Sequence, residues 1–411
     1  MRQEGILKPA EMFAMPCARS RRQFLKTAAA STASAAAWLA APLSIFGAAP
    51  ATPVAVSKCD SYGPELIPAL DRMFDQLGGL GRIVKGKTVA IKINLTGAPT
   101  YRVGYLPCED THYTHPRVIG AVCYLMARAG ARRIRLLESP WATADSVEEY
   151  LLQANWEPLD ILNSAPNVEF ENTNFLGNAR KYSRLSVPHG GLMFPAFDLN
   201  HSYAECDVFA SLAKMKEHAT AGVTLSMKNC FGITPATIYG TGAGLDEPSI
   251  LPRGGRTIVH SGSRQPSRSA PGELHPGSPR EDTWRVPRTI VDLVSARPID
   301  LAVIDGINTM TGGEGPWIRE TLTGVHPGVL VAGTNCVNID AVGMAVMGFD
   351  PMADRGTPPF EACDSTLRLA EEVGLGTRDL KRIEVVGTPI REALFDFAAI
   401  RRERRPLKER I

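Results

Sequence analysis

Three side chains that carry or accept a proton occupy every second position directly after a short apolar run. The run 208–212 has the length and apolar character of a buried strand, and Lys214, Lys216 and His218 follow it. Alternate residues of an extended segment point to the same side, so the three groups would lie together. Lysine neutralises phosphate or carboxylate as a point charge, and histidine titrates near neutral pH. The segment therefore predicts a site for an anion or another polar ligand.

A helical pattern that begins near Thr220 follows this segment and holds Lys228 and Asn229. The N-terminus of a helix presents backbone N–H donors to an anion. We expect the three lysines of these segments to bind an anionic group together with Asn229, and His218 to donate or accept a proton. The alternative for His218 is a side chain that only caps the helix.

The elements that must position these residues alternate between short apolar runs and helical patterns. Continuous Val/Ile/Leu runs are typical of strands buried on both faces, and strand–helix alternation predicts an α/β protein with a mainly parallel sheet flanked by helices. The predicted strands are 88–93, 133–137, 208–212, 301–304, 329–332 and 383–386, and the predicted helices are 116–129, 338–347 and 364–373.

Two stretches of the predicted α/β domain, residues 51–390, break this alternation. Residues 145–195 are mixed and rich in Asn, which predicts a small insertion of strands and a helix. Residues 235–287 are rich in Gly, Pro and Ser, and a loop of that length is functional or disordered. A basic tail, residues 391–411, follows the domain.

Polar or Gly-rich residues also follow the other predicted strands. Ligands of open parallel sheets bind at the carboxyl ends of the strands, so we expect these residues to converge. Those assigned to the site in this way are Asn94, Glu138, Asp305, Gly313, Gly315 and Thr334.

Glu138 and Asp305 are the predicted catalytic carboxylates beside His218. They can orient the histidine or hold a divalent metal, and an equally natural alternative is a salt bridge to the nearby lysines. The sequence contains no C-x-x-C pair, which argues against a local iron–sulfur or structural zinc motif.

The N-terminal residues 1–50 predict an export signal. Arg21 and Arg22 belong to a twin-arginine motif, and an Ala-rich apolar stretch follows them. The stretch is short and weakly apolar, so we expect no stable membrane anchor. The predicted partner during export is the twin-arginine (Tat) translocase, and the predicted location is periplasmic or extracellular.

The charge of the chain is balanced once this signal is set aside. The whole sequence holds 45 Lys and Arg against 43 Asp and Glu; residues 1–49 contain six of the basic and two of the acidic residues, which leaves 39 and 41. Such a balance shows no electrostatic footprint for nucleic acid, so no nucleic-acid partner is expected.

The polar blocks follow one another in a specific order between about residues 85 and 350. They are Lys92-Ile93-Asn94, Thr114-His115-Pro116, Glu138, Lys214-Met215-Lys216-Glu217-His218, Lys228-Asn229 with Phe231-Gly232, Asp305-Gly306, Gly313 to Pro316, and Gly333-Thr334 with Asp340. In this combination the chain resembles the domain of unknown function 362 family. The resemblance implies an α/β domain and a shared site built from these blocks, and it implies no established reaction.

Two departures from the family pattern matter for function. The family often has Asp where this chain has Asn335, and an amide cannot act as a charged ligand or base. Many relatives also carry a Cys-rich ferredoxin-like segment, which this sequence does not contain, so electron transfer within the chain is not expected.

Three functions remain open on the sequence alone. The preferred one is an exported enzyme that uses a cofactor or divalent metal on an anionic small molecule, with an oxidoreductase and its redox partner favoured within this class. The second is a non-catalytic periplasmic binding protein for an anionic ligand. The third is a partner-binding protein with residues 235–287 as its interface.

Overall fold

One eight-stranded sheet organises the computed structural model, which describes residues 49–140, 145–251, 254–318 and 322–404. The predicted export signal lies outside these residues except for its last two positions, as does the end of the basic tail. The strands are, in chain order, β1 Val54–Lys58, β2 Thr88–Lys92, β3 Arg133–Glu138, β4 Val168–Asn172, β5 Ser183–Ser186, β6 Ala196–Leu199, β7 Val208–Lys214, β8 Lys216–His218, β9 Gly222–Thr224, β10 Leu301–Gly306, β11 Thr309–Thr311, β12 Thr323–Val325, β13 Val329–Gly333 and β14 Val385–Gly387.

The strand order across the main sheet is β14-β1-β13-β10-β7-β2-β3-β4. Neighbouring strands are parallel except at β13, which pairs antiparallel with both β1 and β10. The other pairs of described strands, β5–β6, β8–β9 and β11–β12, form separate hairpin-like ribbons. The predicted α/β class with a mainly parallel sheet is therefore confirmed.

Both faces of the central strands are buried, which explains their continuous apolar sequences. In β7, Phe209 and Ala213 join the hydrophobic cluster on one face, while Ala210 and Leu212 join the cluster on the other. This alternation follows from the period of two along a strand.

Helices cover both faces. They are α1 Leu66–Gln76, α2 Gly81–Val84, α3 Pro116–Arg128, α4 Val147–Gln153, α5 Pro158–Leu162, α6 His201–Glu205, α7 Ser226–Asn229, α8 Ala236–Tyr239, α9 Thr257–His260, α10 Asp282–Ala296, α11 Cys336–Val346, α12 Thr366–Glu372, α13 Ile390–Ala393 and α14 Phe397–Arg404. Within the described part of the chain, none of these helices has both the length and the apolar character needed to cross a bilayer.

Local signals at the ends of α3 and α11 agree with the predicted helices. The His115 side chain accepts a hydrogen bond from the Arg117 backbone N–H and caps α3, which begins with Pro at its first turn. The cap of α11 is Asn335, whose side chain accepts from Val337 and Asn338. Asn and Asp are equivalent caps, so the departure at Asn335 preserves this function.

The six predicted strands and three predicted helices are present, each to within two residues at either end. Two strands of the main sheet, β1 and β4, were not predicted. Because β4 pairs with β3, the stretch 145–195 supplies an edge strand of the main sheet rather than only an insertion. The stretch 235–287 is not structureless, since it contains α8 and α9 and the first turns of α10.

Candidate functional site

A pocket of about 390 Å³ lies at the carboxyl ends of β2, β3 and β7. The strands β7 and β2 are neighbours at the centre of the sheet. The chain adds β3 next to β2 in one direction, and it adds β10 next to β7 in the opposite direction. Loops that leave neighbouring strands in opposite directions open a crevice between them, where ligands of parallel sheets bind. The predicted site residues that line this pocket are Asn94, Glu138, Lys216, His218, Lys228 and Asn229.

Lys214 and Asp305 lie outside the pocket, which corrects the predicted site. Lys214 Nζ is 2.9 Å from Asp305 Oδ2, and both side chains are fully buried. The Tyr62 hydroxyl and the His115 backbone N–H also donate to this carboxylate. The lysines separate because β7 ends at Lys214, which pairs with β10, whereas Lys216 begins β8, which pairs with β9. The pair is therefore a salt bridge that joins β7 to β10.

Glu138 borders the pocket, but hydrogen bonds already surround its carboxylate. Its Oε1 is 2.8 Å from Lys92 Nζ, and its Oε2 accepts from the Leu95 backbone N–H at 2.9 Å. The Ser139 backbone N–H donates to Oε1 at 3.1 Å. A Cβ at Gly232 would lie 2.9 Å from Lys92 Cε, so glycine is needed for the close packing there. These contacts favour a role in holding the loops after β2 and β3 over the predicted catalytic role.

Asn229 connects the two strands between which the pocket opens. Its Nδ2 donates to the backbone oxygens of Lys92 at 3.2 Å and Leu212 at 3.1 Å, and to Ser211 Oγ at 3.0 Å. These bonds link the ends of β2 and β7. The Asn94 side chain also makes a structural hydrogen bond, because its Oδ1 accepts from the Thr96 backbone N–H in the same loop. Both predicted ligand-binding amides therefore also maintain the shape of the pocket.

Lys216 and Lys228 are lysines of the pocket that form no ion pair with a described residue, although the charge of Glu314 acts on both. Lys216 Nζ donates to the Glu314 backbone oxygen at 2.5 Å. Lys228 Nζ lies 4.7 Å from the centroid of the Phe231 ring. Burial lowers the pKa of each lysine to about 7, and the charge of Lys228 adds to the effect on Lys216. An anion between them would stabilise their charged forms and raise both pKa values.

His218 faces the pocket as a hydrogen-bond donor. Its Nδ1 accepts from the Thr220 backbone N–H at 3.2 Å, which leaves the proton of the neutral ring on Nε2. Burial lowers the pKa of His218 well below its usual value, and the charges of Lys228 and Lys216 lower it further. This geometry disfavours the predicted role as a proton acceptor. The helix predicted near Thr220 is wrong, because the chain forms the β8–β9 ribbon there.

The stretch 235–287 supplies pocket residues that the sequence did not reveal. Arg256 donates through Nε to the Thr234 backbone oxygen at 2.8 Å and forms no ion pair with a described residue. His260 Nδ1 is 3.6 Å from Asp282 Oδ2, and its ring packs edge-on to Phe231. These residues lie in a Gly- and Pro-rich segment without periodicity, so no local signal placed them beside the sheet.

The Gly-rich segment after β11 closes another side of the pocket. Glu314 Oε2 accepts from the Ala219 backbone N–H at 3.0 Å, and Glu314 Oε1 accepts from Trp317 Nε1 at 3.2 Å. A Cβ at Gly315 would collide with the Trp317 ring. Gly313 and Gly315 do not line the pocket themselves. Their predicted place against the ligand is corrected to a place in the loop that carries Glu314 and Trp317.

Thr334 lies at the end of the sheet opposite to the pocket, beside the amino ends of the parallel strands, so its predicted place in the site is wrong. It follows β13, whose last residue, Gly333, pairs with Ala302 near the beginning of β10. The carboxyl end of an antiparallel strand points away from the carboxyl ends of its neighbours. A run of apolar residues contains no signal for strand direction.

No group of three or more His, Cys, Asp or Glu side chains among the described residues is arranged to hold a metal ion. Glu138 and Asp305, the predicted carboxylate ligands, are each engaged with a different lysine. The seven cysteines of the described chain are all unpaired.

The lowered pKa of Lys216 should be visible in how the free energy of unfolding depends on pH. Its pKa is about 7 when folded and 10.5 when unfolded, so between these values the unfolded chain binds more protons. Stability from this lysine therefore rises with pH, by up to about 1.4 kcal/mol per pH unit. We expect the slope of unfolding free energy against pH, measured by urea denaturation from pH 7.5 to 9.5, to be smaller in Lys216→Met than in the wild type.

The matched control for this measurement is Lys85→Met. Lys85 is exposed and lies between α2 and β2, at the opposite edge of the sheet. This variant should keep the wild-type slope. Equal slopes in the wild type and in Lys216→Met would contradict the lowered pKa.

The fold and the pocket together define an α/β protein with a cationic pocket at the carboxyl ends of its parallel strands. The model of the family described as Domain of unknown function (DUF362) matches residues 89–345, which contain the whole polar signature. The chain belongs to this family.

Comparisons with individual proteins give partial matches. A protein of Synechocystis described as thylakoid-associated is 29% identical over 189 residues, which is 44% of this chain and 50% of that protein. A Thermotoga maritima protein of known structure is 11% identical, with 62% of this chain and 52% of that chain covered and a TM-score of 0.32. The lactate racemase apoprotein of Thermoanaerobacterium thermosaccharolyticum is 12% identical, with 67% and 54% covered and a TM-score of 0.34. The chain thus spans about half the length of each of these proteins.

Proposed function

We propose that this protein is an enzyme that binds a small anionic molecule in the strand-end pocket. The observation that carries the proposal is the unpaired positive charge there. Lys216, Lys228 and Arg256 form no ion pair with a described residue, although a fourth cation, Lys92, is paired with Glu138. Lys216 is buried and Lys228 and Arg256 are half-buried, and the carboxylates of Glu138 and Glu314 act on these cations without pairing with them. Desolvated cations that lack an ion-pair partner oppose folding, so their retention in one pocket favours a bound anion.

The polar groups around these cations support the same proposal. The Thr224 hydroxyl is buried at the pocket and has no hydrogen-bond partner among the described residues. His218 presents its Nε2–H as a further donor. An unpaired buried hydroxyl costs free energy that a ligand oxygen would recover. The pocket therefore offers charge and directional donors suited to a carboxylate or phosphate.

Calorimetric titration with oxalate and with inorganic phosphate tests the proposal. At pH 8.0 lysines with a pKa of about 7 are mostly neutral, and a bound anion raises their pKa values. Binding should therefore take up protons, which is measured by repeating the titration in buffers of different ionisation enthalpy. The Lys85→Met protein should behave like the wild type. Absence of binding by both anions would overturn the proposal.

A second candidate is a non-catalytic binding protein for the same anions. The occupied Nδ1 of His218 favours it, because the pocket histidine predicted to transfer a proton is then only a donor. The two candidates differ in turnover: a binding protein returns its ligand unchanged after prolonged incubation, and an enzyme does not.

The remaining elements of the sequence prediction stay predictions. Export by the twin-arginine route and a periplasmic or extracellular location rest on the motif around Arg21 and Arg22. The oxidoreductase activity, the redox partner and the divalent metal likewise await their own tests.

A further inference from the structure

We infer that Lys228 acts as a nucleophile that forms a Schiff base with a 2-oxo acid bound in the pocket. The inference rests on the proposed function, because the carboxylate of such an acid would be the anion that the pocket binds. It adds a substrate class, compounds with a carbonyl group next to a carboxylate, and a covalent step.

Lys228 differs from the other lysines at these strand ends in that its amine is free. Lys92 Nζ is paired with Glu138, Lys214 Nζ is paired with Asp305, and Lys216 Nζ donates to a backbone oxygen. Lys228 Nζ faces the pocket, rests on the Phe231 ring, and has no hydrogen-bond or ion-pair partner among the described residues. A nucleophilic amine must turn its lone pair towards the substrate, and the Nζ of Lys228 is not held in another orientation by a hydrogen bond or an ion pair with a described residue.

The backbone that carries Lys228 is held at both ends of its short helix. Asp340 accepts hydrogen bonds from the Ser226 backbone N–H at 2.8 Å, the Ser226 hydroxyl at 2.6 Å and the Met227 backbone N–H at 3.0 Å. Asn229, at the other end, is bonded to the ends of β2 and β7. A reacting group placed on a fixed element loses little freedom when it attacks.

The electrostatic surroundings supply the neutral amine that the reaction needs. Burial lowers the pKa of Lys228 to about 7, with the charges of Arg256 and Lys92 acting in the same direction against Glu314. A substantial fraction of the amine is therefore unprotonated at neutral pH before the acid binds. The bound carboxylate raises this pKa, so attack uses the fraction of Lys228 that stays neutral and becomes faster above pH 7. Desolvation and a neighbouring cation are the two known means of activating a lysine nucleophile.

Other pocket groups suit the remaining parts of a 2-oxo acid. The Lys216 ammonium and the Thr224 hydroxyl can bind the carboxylate, and the Nε2–H of His218 can bind the carbonyl oxygen. The Nζ lone pair then forms a bond to carbon 2, and the π electrons of the carbonyl move to oxygen. The carbonyl oxygen leaves as water with the two amine protons, which leaves a C=N bond. The step needs no oxidant or reductant.

Reductive trapping tests the inference on the full chain. The protein is incubated with pyruvate and sodium borohydride, and the adduct is located by intact mass and peptide mapping. We expect about one adduct per chain at Lys228, increasing as the pH rises through 7. Oxamate, an isosteric anion whose amide carbonyl resists amine attack, should compete with pyruvate and form no adduct.

Two variants make the result specific. Lys228→Arg keeps the positive charge but cannot form the imine. The amount of trapped adduct should therefore fall by at least about tenfold, because the reacting amine is absent. Lys85→Met should be trapped like the wild type. The inference is overturned if oxamate binds calorimetrically while pyruvate gives no adduct at Lys228, and in that outcome the proposed anion binding still stands. If neither anion binds, both the inference and the proposed function fail.

Discussion

Replacing Lys228 by methionine should weaken the binding of oxalate by about 100-fold. Methionine is unbranched like lysine and fills most of the same space, but it lacks the ammonium. Removing one partner of a desolvated charge pair costs about 2–5 kcal/mol of binding free energy. The reason is specific to this lysine, since its ammonium rests on the Phe231 ring but forms no hydrogen bond or ion pair with a described residue. The affinity is measured by calorimetry at low salt, because screening would hide part of the effect.

The Lys228→Met substitution should weaken oxalate binding without lowering the stability of the folded protein. Without ligand, the wild type retains a desolvated cation whose pKa is lowered to about 7, and the variant does not. We therefore expect Lys228→Met to unfold at an equal or higher urea concentration than the wild type. Lost affinity with retained stability is typical of a residue kept for function. An oxalate affinity within threefold of the wild type, on the order of 0.7 kcal/mol, would exclude Lys228 from the anion site.

Of the substitutions considered, Asp305→Ala should destabilise the protein most. It should lower the free energy of unfolding by about 3–5 kcal/mol. The change leaves the Lys214 ammonium fully buried without a counter-ion and removes the acceptor of the Tyr62 hydroxyl. Urea denaturation gives the free energy of unfolding directly. A variant with this loss supports the structural role of the pair, whereas the sequence predicted a catalytic carboxylate.

The double variant Lys214→Met/Asp305→Leu separates charge from packing. It removes both charges, so no unpaired ion remains, and it should be more stable than Asp305→Ala. The folded double variant should also bind oxalate as the wild type does, because neither residue lines the pocket. Lost oxalate binding in a stably folded double variant would instead return Asp305 and Lys214 to the site.

Most of the strands that the sequence predicted share one physical property. They are short apolar runs that are largely buried, as β7 and β10 are, and such burial leaves a continuous signal; the edge strand β14 is only partly buried, and its apolar residues Val385 and Val386 still marked it. The edge strand β4, with the sequence VEFEN, is only partly buried, and its alternating charges hid it. Apolar sequence therefore marked most of the sheet, although β1, which is mostly buried, was also missed.

The site was predicted in part for a similar reason. Asn94, Glu138, Lys216, His218, Lys228 and Asn229 lie at the ends of parallel strands or in the segments after them, and they line one pocket, as the strand-end rule expects for such positions. The same rule failed at Thr334, because β13 runs antiparallel and hydrophobicity does not encode direction. It failed for Lys214 because β7 ends there and Lys216 already belongs to the separate β8–β9 ribbon.

The sequence by itself thus determined the α/β class, the central strands and the concentration of cations after β7. Only the tertiary structure decided which cations are paired. Lys92, Lys214, Lys216 and Lys228 are all lysines near strand ends, and their charges become paired or unpaired according to which loop packs against them. Arg256 enters the pocket from the stretch 235–287, and no periodic sequence pattern there predicted this position. Ion pairing depends on contacts between distant segments, and that is why Lys228 could be recognised as the free amine only in the folded protein.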